Sequence, residues 1–233
     1  MVTGRTYAAF LFDMDGTVLD SIAATERVWG AWAERHGLDV PAFLATIHGM
    51  RAADTIRRLA LPGLDPEREA LEIMRREVTD VEGIVPIPGA PAFLSALPPG
   101  RWAIVTSAPL ALARRRMAAA GLPLPEVLVT AEDVTRGKPA PDGYRLAAAR
   151  LGVEAEACLV FEDAAAGIRA AEAAGAAVMV VTSSHSHPLE TLHPTLASYD
   201  AYETRLQGDG LLLLGRPSGA ARPTYARSDS SAS

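Results

Sequence analysis

The chain has 233 residues, enough for one sizeable core plus an inserted module. Its 22 basic and 28 acidic side chains leave a formal charge of −6, which argues against a nucleic-acid binder, and no apolar run approaches the length that spans a bilayer. A single cysteine, Cys158, rules out an internal disulfide, and the N-terminus lacks the ordered basic, apolar and cleavage regions of a signal peptide, so the expectation is a cytoplasmic protein, with a monomer as the default.

In chain order, the first expected element is a strand from about Tyr7 to Phe12, ending at Asp13 and Asp15. Residues 21–38 place Ile22, Trp29, Trp32 and Ala33 on one helical face, with Gly37 as the C-terminal cap. Two short helices joined near His48-Gly49 follow, and Asp65-Pro66 opens a long helix through Val78. Residues 21 to about 84 therefore read as helical throughout. Beyond them strands and helices alternate: "RWAIVTS", "EVLVT", "ACLVFED" and "AVMVVTS" as strands, with helical segments between. This alternation predicts an α/β fold, a Rossmann-like parallel sheet with helices on both faces and an inserted helical cap. The core is expected over 1–20 and 85–215, and the cap over 21–84. A small hairpin is expected at "YETRLQGDGLLLLG", and a disordered tail over 216–233.

In an open parallel sheet, ligands gather at the carboxyl ends of the strands. Those ends carry Asp13 and Asp15, then Thr106 and Ser107, then the loop holding Lys138, then Glu162-Asp163. Each residue has a bland reading as a helix cap or solvated turn, but their coincidence on one face makes the joint bland reading weak. Four converging carboxylates repel one another by about 4 kcal/mol per close pair at an effective dielectric near 20. A hard divalent cation removes that penalty, and Mg²⁺ suits a site that also takes phosphate. Lys138 is the one lysine among the basic residues, all others being arginine, so this position is read as needing a compact point charge. With Asp13 as nucleophile toward phosphorus, Asp15 is placed to protonate the leaving alcohol and then to take a proton from water.

The segments "DMDGT", "VTS", "GKPAPDGY" and "VFEDAAAGI" resemble, in order, the four motifs of the haloacid dehalogenase-like superfamily, along the chain to about residue 183. "HGMRAADTI", "WAIVTSAP" and "GLPLPEVLVTAEDV" further resemble the bacterial sugar (hexitol) phosphatases and the yeast glycerol-3-phosphate and 2-deoxyglucose-6-phosphate phosphatases. The resemblance implies Mg²⁺-dependent hydrolysis of small sugar or polyol phosphates. It assigns Asp13 as nucleophile, Asp15 as general acid/base, and Thr106 and Lys138 as phosphoryl holders. Mg²⁺ is implied on the Asp13 carboxylate, the Asp15 carbonyl and Asp163, with Glu162 nearby. Ser107 and the cap residues His48 and Arg51 are the candidate substrate contacts.

Within the superfamily, Asp15 favours phosphoryl chemistry over dehalogenation, and a cap without lysine removes the Schiff-base phosphonate hydrolases. Thr25 and His48 stand where the beta-phosphoglucomutase pattern has histidine and lysine, which favours hydrolysis over mutase chemistry. A receiver-type signalling domain is disfavoured by the Asp13/Asp15 order and the large insertion. "RRRM" at 114–117 reads as a solvated helix face and Trp29 and Trp32 as cap core. The histidines of "HSHPLETLH" read as lying outside the strand-end cluster.

Overall fold

The computed structural model describes residues 2–185, 190–208 and 210–215; the tail expected over 216–233 lies outside them. The chain opens with β1 (Thr6–Tyr7), β2 (Ala9–Phe12) and β3 (Leu19–Asp20). Then come α1 (Ile22–Arg35), α2 (Val40–Leu44), α3 (Ala52–Leu59) and α4 (Pro66–Thr79). After β4 (Val85–Pro86) the alternation begins: α5 (Ala90–Ser95), β5 (Trp102–Val105), α6 (Leu110–Ala119), β6 (Val127–Val129), α7 (Asp142–Arg150), β7 (Cys158–Glu162), α8 (Ala165–Ala174) and β8 (Ala177–Val181). β9 (Thr195–Leu196), β10 (Glu203–Leu206) and β11 (Leu212–Gly215) complete it.

The central sheet has the order β6-β5-β2-β7-β8-β9 and is parallel throughout. Its strands read as near-continuous apolar runs because both faces are covered. The pleat sorts them: Phe10, Phe12, Ile104, Phe161 and Met179 enter the core on one face, and Ala9, Leu11, Val105, Val160 and Val180 the core on the other. From β2 the chain first builds outward through β5 and β6, then crosses to β7 and β8 on the other side. The order thus reverses at β2, which leaves a crevice at the carboxyl ends of β2, β5 and β7.

The single strand expected over Tyr7–Phe12 is split at Ala8, whose N–H goes to the Ala157 carbonyl. Tyr7 turns away to pair with Leu212, so β1 joins the predicted β10–β11 hairpin in a separate antiparallel sheet.

The helical insertion has a core of its own, with Val28, Trp29, Trp32, Phe43, Ile56 and Ile73 packed together. Local signals in the sequence set its helices. Gly37, at φ +65°, closes α1 with its own N–H on Glu34 O and that of Leu38 on Ala33 O, satisfying carbonyls the helix end would leave unpaired. Asp65 caps α4 by accepting from the N–H groups of Glu67 and Arg68, with Pro66 at the first helical position. Asp20 serves the same end of α1, accepting from Ile22 N at 2.9 Å. The insertion leaves and returns through the two-stranded β3–β4 ribbon, pairing Leu19 with Pro86 and Asp20 with Val85, a feature too short to register in the sequence pattern.

Candidate active site

The loop after β2 is wound tightly: the N–H groups of Thr17, Val18 and Leu19 all approach the Met14 carbonyl, at 2.9–3.3 Å. Gly16 makes this possible at φ +82°, and any Cβ there would collide with the Asp163 carboxylate. Asp13 is the first residue beyond β2, its N–H on Phe161 O, so its side chain is fixed by the sheet. Thr106 follows β5 with its N–H on Val129 O, Glu162 ends β7, and Asp163 follows it. The sheet thereby brings the expected residues to one crevice.

Lys138 reaches that crevice from beneath. Its buried ammonium donates to Asp13 Oδ1 and, at 2.6 Å, to Glu162 Oε1, with the Tyr144 ring centroid 5.2 Å away. Burial opposes its charge, yet the Asp13 and Glu162 carboxylates push its pKa well above that of free lysine. Burial drives the Asp13 pKa up from 3.8 to about 8, outweighing the lysine's attraction, and repulsion from Glu162 and Asp15 adds to it. Asp163 is pushed well up too, first by burial and then by Glu162 and Asp13. Glu162 is saturated: Oε1 accepts from Lys138 and from the Tyr144 hydroxyl at 3.1 Å, and Oε2 from the N–H groups of Asp163 and Ala164, both at 2.8 Å.

Asp13, Glu162 and Asp163 each offer an oxygen within 4.8 Å of the others. Ionised together, the three carboxylates would outweigh the one ammonium by two charges where little water reaches, which is why burial and mutual repulsion push Asp13 and Asp163 toward their protonated forms. An all-oxygen donor set carrying that surplus fits a hard divalent cation in both charge and chemistry. Above the acids opens a cleft of about 710 Å³, a size suited to a small ligand. Asp13, Asp15 and Thr106 line it from the sheet, and Thr25, Trp29 and His48 from the insertion. Ser107 Oγ donates to Gly49 O at 3.1 Å, and a Cβ on Gly49 would stand 2.7 Å from that of Ala164, so the 48–50 turn lies directly over the crevice.

Residues 7–175 match the haloacid dehalogenase-like hydrolase family. The chain belongs to that family. It is 47% identical over 184 residues to hexitol phosphatase A of Escherichia coli, an alignment covering 77% of this chain and 85% of that one. To 2-deoxyglucose-6-phosphate phosphatase 2 of Saccharomyces cerevisiae it is 32% identical over 197 residues, covering 75% and 80% of the two chains. A hydrolase from Pseudomonas syringae shares the fold with a TM-score of 0.71 at 24% identity, over 81% of this chain and 93% of that one.

In this haloacid dehalogenase-like hydrolase several residues stand elsewhere than the sequence suggests. Arg51, expected to reach substrate, lies at the start of α3. Its guanidinium donates to Val134 O at 2.6 Å and Thr135 O at 3.1 Å, its stem lies against Gly137, and it braces the lysine loop from outside the cleft. His48 lines the cleft, and burial lowers its pKa against the opposing pull of Glu26 and Asp15. Trp32 is insertion core, but Trp29 both packs in that core and faces the cleft. The histidine run does reach the site: His185 Nε2 is 2.9 Å from Asp163 O and Ser184 Oγ donates to Gly16 O, whereas His193 pairs with exposed Glu172. His187 lies outside the described residues. The position of His185, four residues past the end of β8, was the available signal, since the strand-end rule applies to that strand as well. Tyr144 and Arg116 also belong to the site; Arg114 and Arg115 are exposed as expected, but Arg116 is buried against Asp15.

Proposed function

We propose that this hydrolase cleaves small sugar or polyol phosphate monoesters with Mg²⁺, through a phosphoryl group carried transiently on Asp13. The observation that carries the reading is the Asp13–Lys138 pair under the cleft floor, with Asp15 two residues on in the cleft wall. Asp13 attacks phosphorus, the phosphorus–oxygen bond to the sugar breaks, and Asp15 delivers a proton to the departing oxygen. Water then attacks the aspartyl-phosphate, Asp15 takes its proton, and inorganic phosphate leaves. Lys138 holds the Asp13 carboxylate on line, and Thr106 with the backbone N–H groups of Met14 and Asp15, which the turn around Met14 O does not use, receives the phosphoryl oxygens.

Asp13, the Asp15 carbonyl and Asp163 would hold Mg²⁺, with Glu162 beside them. Its charge would offset that of the phosphate dianion entering an acidic site. The insertion acts as a cap: its His48 and Trp29, together with Ser107 after β5 in the core, line the space where a polyol chain would lie and are its candidate contacts. The names of the relatives, one for hexitol phosphates and one for 2-deoxyglucose 6-phosphate, support this substrate class. Among the described residues no helix is long and apolar enough to cross a membrane.

The test is phosphate release from a panel of polyol, hexose and glycolate phosphates, with Mg²⁺ and with EDTA, for wild type and Asp13→Asn. Metal-dependent release from polyol or sugar esters, abolished in the variant, is expected. Release that survives Asp13→Asn overturns the assignment of the nucleophile.

A further inference from the structure

Arg116 is only 5% exposed, although its two arginine neighbours in sequence lie in solvent. Its Nη1 donates to Asp15 Oδ1 at 2.8 Å, and its Nη2 to Thr25 Oγ1 at 3.0 Å and Glu77 Oε1 at 2.8 Å. Its Nε is buried with no acceptor. A guanidinium taken out of water and left partly unsatisfied is a poor stabilising device, and apolar side chains of similar volume serve a core as well or better. Stability alone therefore gives no reason for an arginine here.

What it does hold is one oxygen of Asp15. Oδ1 also accepts from Ser21 Oγ at 2.6 Å, so two donors from different directions grip the same atom. A carboxylate turns easily about its terminal torsion, and a single donor leaves much of that freedom, whereas two remove it. Among the described residues Oδ2 accepts no hydrogen bond, which leaves it as the oxygen able to carry a proton. The grip spans the molecule. Arg116 comes from α6, on the sheet side, while Thr25 and Glu77, which fix the guanidinium, come from α1 and α4 of the insertion.

We propose that Arg116 is a positioning residue for proton transfer to the leaving group. It acts through Asp15, whose Oδ1 it fixes so that Oδ2 meets the departing oxygen. The inference rests on the reading of Asp15 as the acid. In the step concerned, the Asp13 carboxylate forms a bond to phosphorus, and the electron pair of the breaking phosphorus–oxygen bond stays with the alcohol oxygen. That oxygen takes the proton from Oδ2, and Asp15 becomes a carboxylate. Water returns the proton in the second half of the cycle.

The experiment compares kcat/KM, which reports the first half-reaction, on two esters. One is the alkyl phosphate that wild type hydrolyses fastest, whose alkoxide must be protonated to leave. The other is p-nitrophenyl phosphate, whose phenolate leaves as a stable anion. Asp15→Asn is expected to lower the alkyl-to-aryl ratio by a hundredfold or more, the usual scale of general acid catalysis being about 10²–10⁴. Arg116→Gln should lower the same ratio by roughly tenfold or more, with Arg116→Lys, which keeps one donor, in between. Equal losses on both esters, or an unchanged ratio, in Arg116→Gln while Asp15→Asn shifts it would overturn the positioning role. An unchanged ratio in Asp15→Asn would instead overturn the acid assignment. If Arg116→Gln does not fold, Arg116→Lys is judged by the same ratio.

Discussion

The raised pKa of Asp13 makes stability depend on pH and on metal together. With its pKa near 8 in the folded protein against 3.8 in the free side chain, the folded state keeps a proton that the unfolded chain sheds between about pH 4 and 8. The state binding more protons loses ground as they become scarce, so stability falls as pH rises through that window. At about 1.4 kcal/mol per unit the shift sets a ceiling of roughly 6 kcal/mol, the lysine sharing part of it. Asp163 pushes in the same direction. A divalent cation bound there would compete for the same oxygens, so its stabilisation should grow with pH, reaching about 2.7 kcal/mol at a hundred times its Kd. For a chain of this size that is a Tm rise on the order of 5–11 °C. Thermal melts from pH 5.5 to 8.5, in EDTA and in saturating Mg²⁺, measure both effects. Tm in EDTA should decline across the range and the Mg²⁺ increment should widen. Asp13→Asn, which removes the titrating charge, should flatten the EDTA curve. An Mg²⁺ increment no larger at pH 8.5 than at pH 5.5, or an undiminished slope in Asp13→Asn, would refute the reasoning.

Lys138→Arg should cost a hundredfold or more in kcat, because a wider fork has no room between Asp13, Glu162 and the Tyr144 ring, and displacing the nucleophile by about 1 Å suffices for that loss. Kinetics within a few-fold of wild type would make the lone lysine incidental. Arg51→Ala releases the Val134 and Thr135 carbonyls, so kcat/KM should fall by a common factor across the ester panel. A changed rank order of substrates would return Arg51 to the substrate pocket. In Gly167→Ala the new Cβ collides with the Glu162 carboxylate, an overpacking worth about 1–3 kcal/mol, and should lower Tm by several degrees; an unchanged melt would contradict the close approach.

What the sequence discloses follows from how local each signal is. The strand-end acids, the Gly37 and Asp65 helix ends and the alternating elements are written within a few residues of where they act. Arg116 is not. In "RRRM" three identical side chains point about 100° apart around one helix, and nothing local says which turns inward. Its three acceptors lie 39, 91 and 101 positions away, on elements whose packing the pattern does not specify. Tyr144 was hidden in the same way, an inner-face helical residue whose hydroxyl meets Glu162 only once α7 packs under the sheet. Arg51 shows the converse: a cation in a polar turn suggests a ligand, but the backbone carbonyls of a neighbouring loop compete for it and win.

Glu162 is where local pattern and geometry divide most sharply, because adjacent acids at a strand end suggest two equivalent metal ligands. Both of its oxygens already accept two hydrogen bonds each, from Lys138 and Tyr144 on one and from the N–H groups of Asp163 and Ala164 on the other. By this geometry it anchors the lysine and pins the Asp163 loop, which would leave Asp13 and Asp163 to face a bound cation. A glutamine can accept at only one of the two positions and turns donors toward donors at the other, so Glu162→Gln should destabilise the fold by about 1–3 kcal/mol. Its Mg²⁺ affinity, read from the Tm increment, should weaken on the order of tenfold, as for residues that support a ligand, whereas Asp163→Asn should lose a hundredfold or more. Equal losses in the two variants would make Glu162 a ligand in its own right and end this division of labour between the two acids.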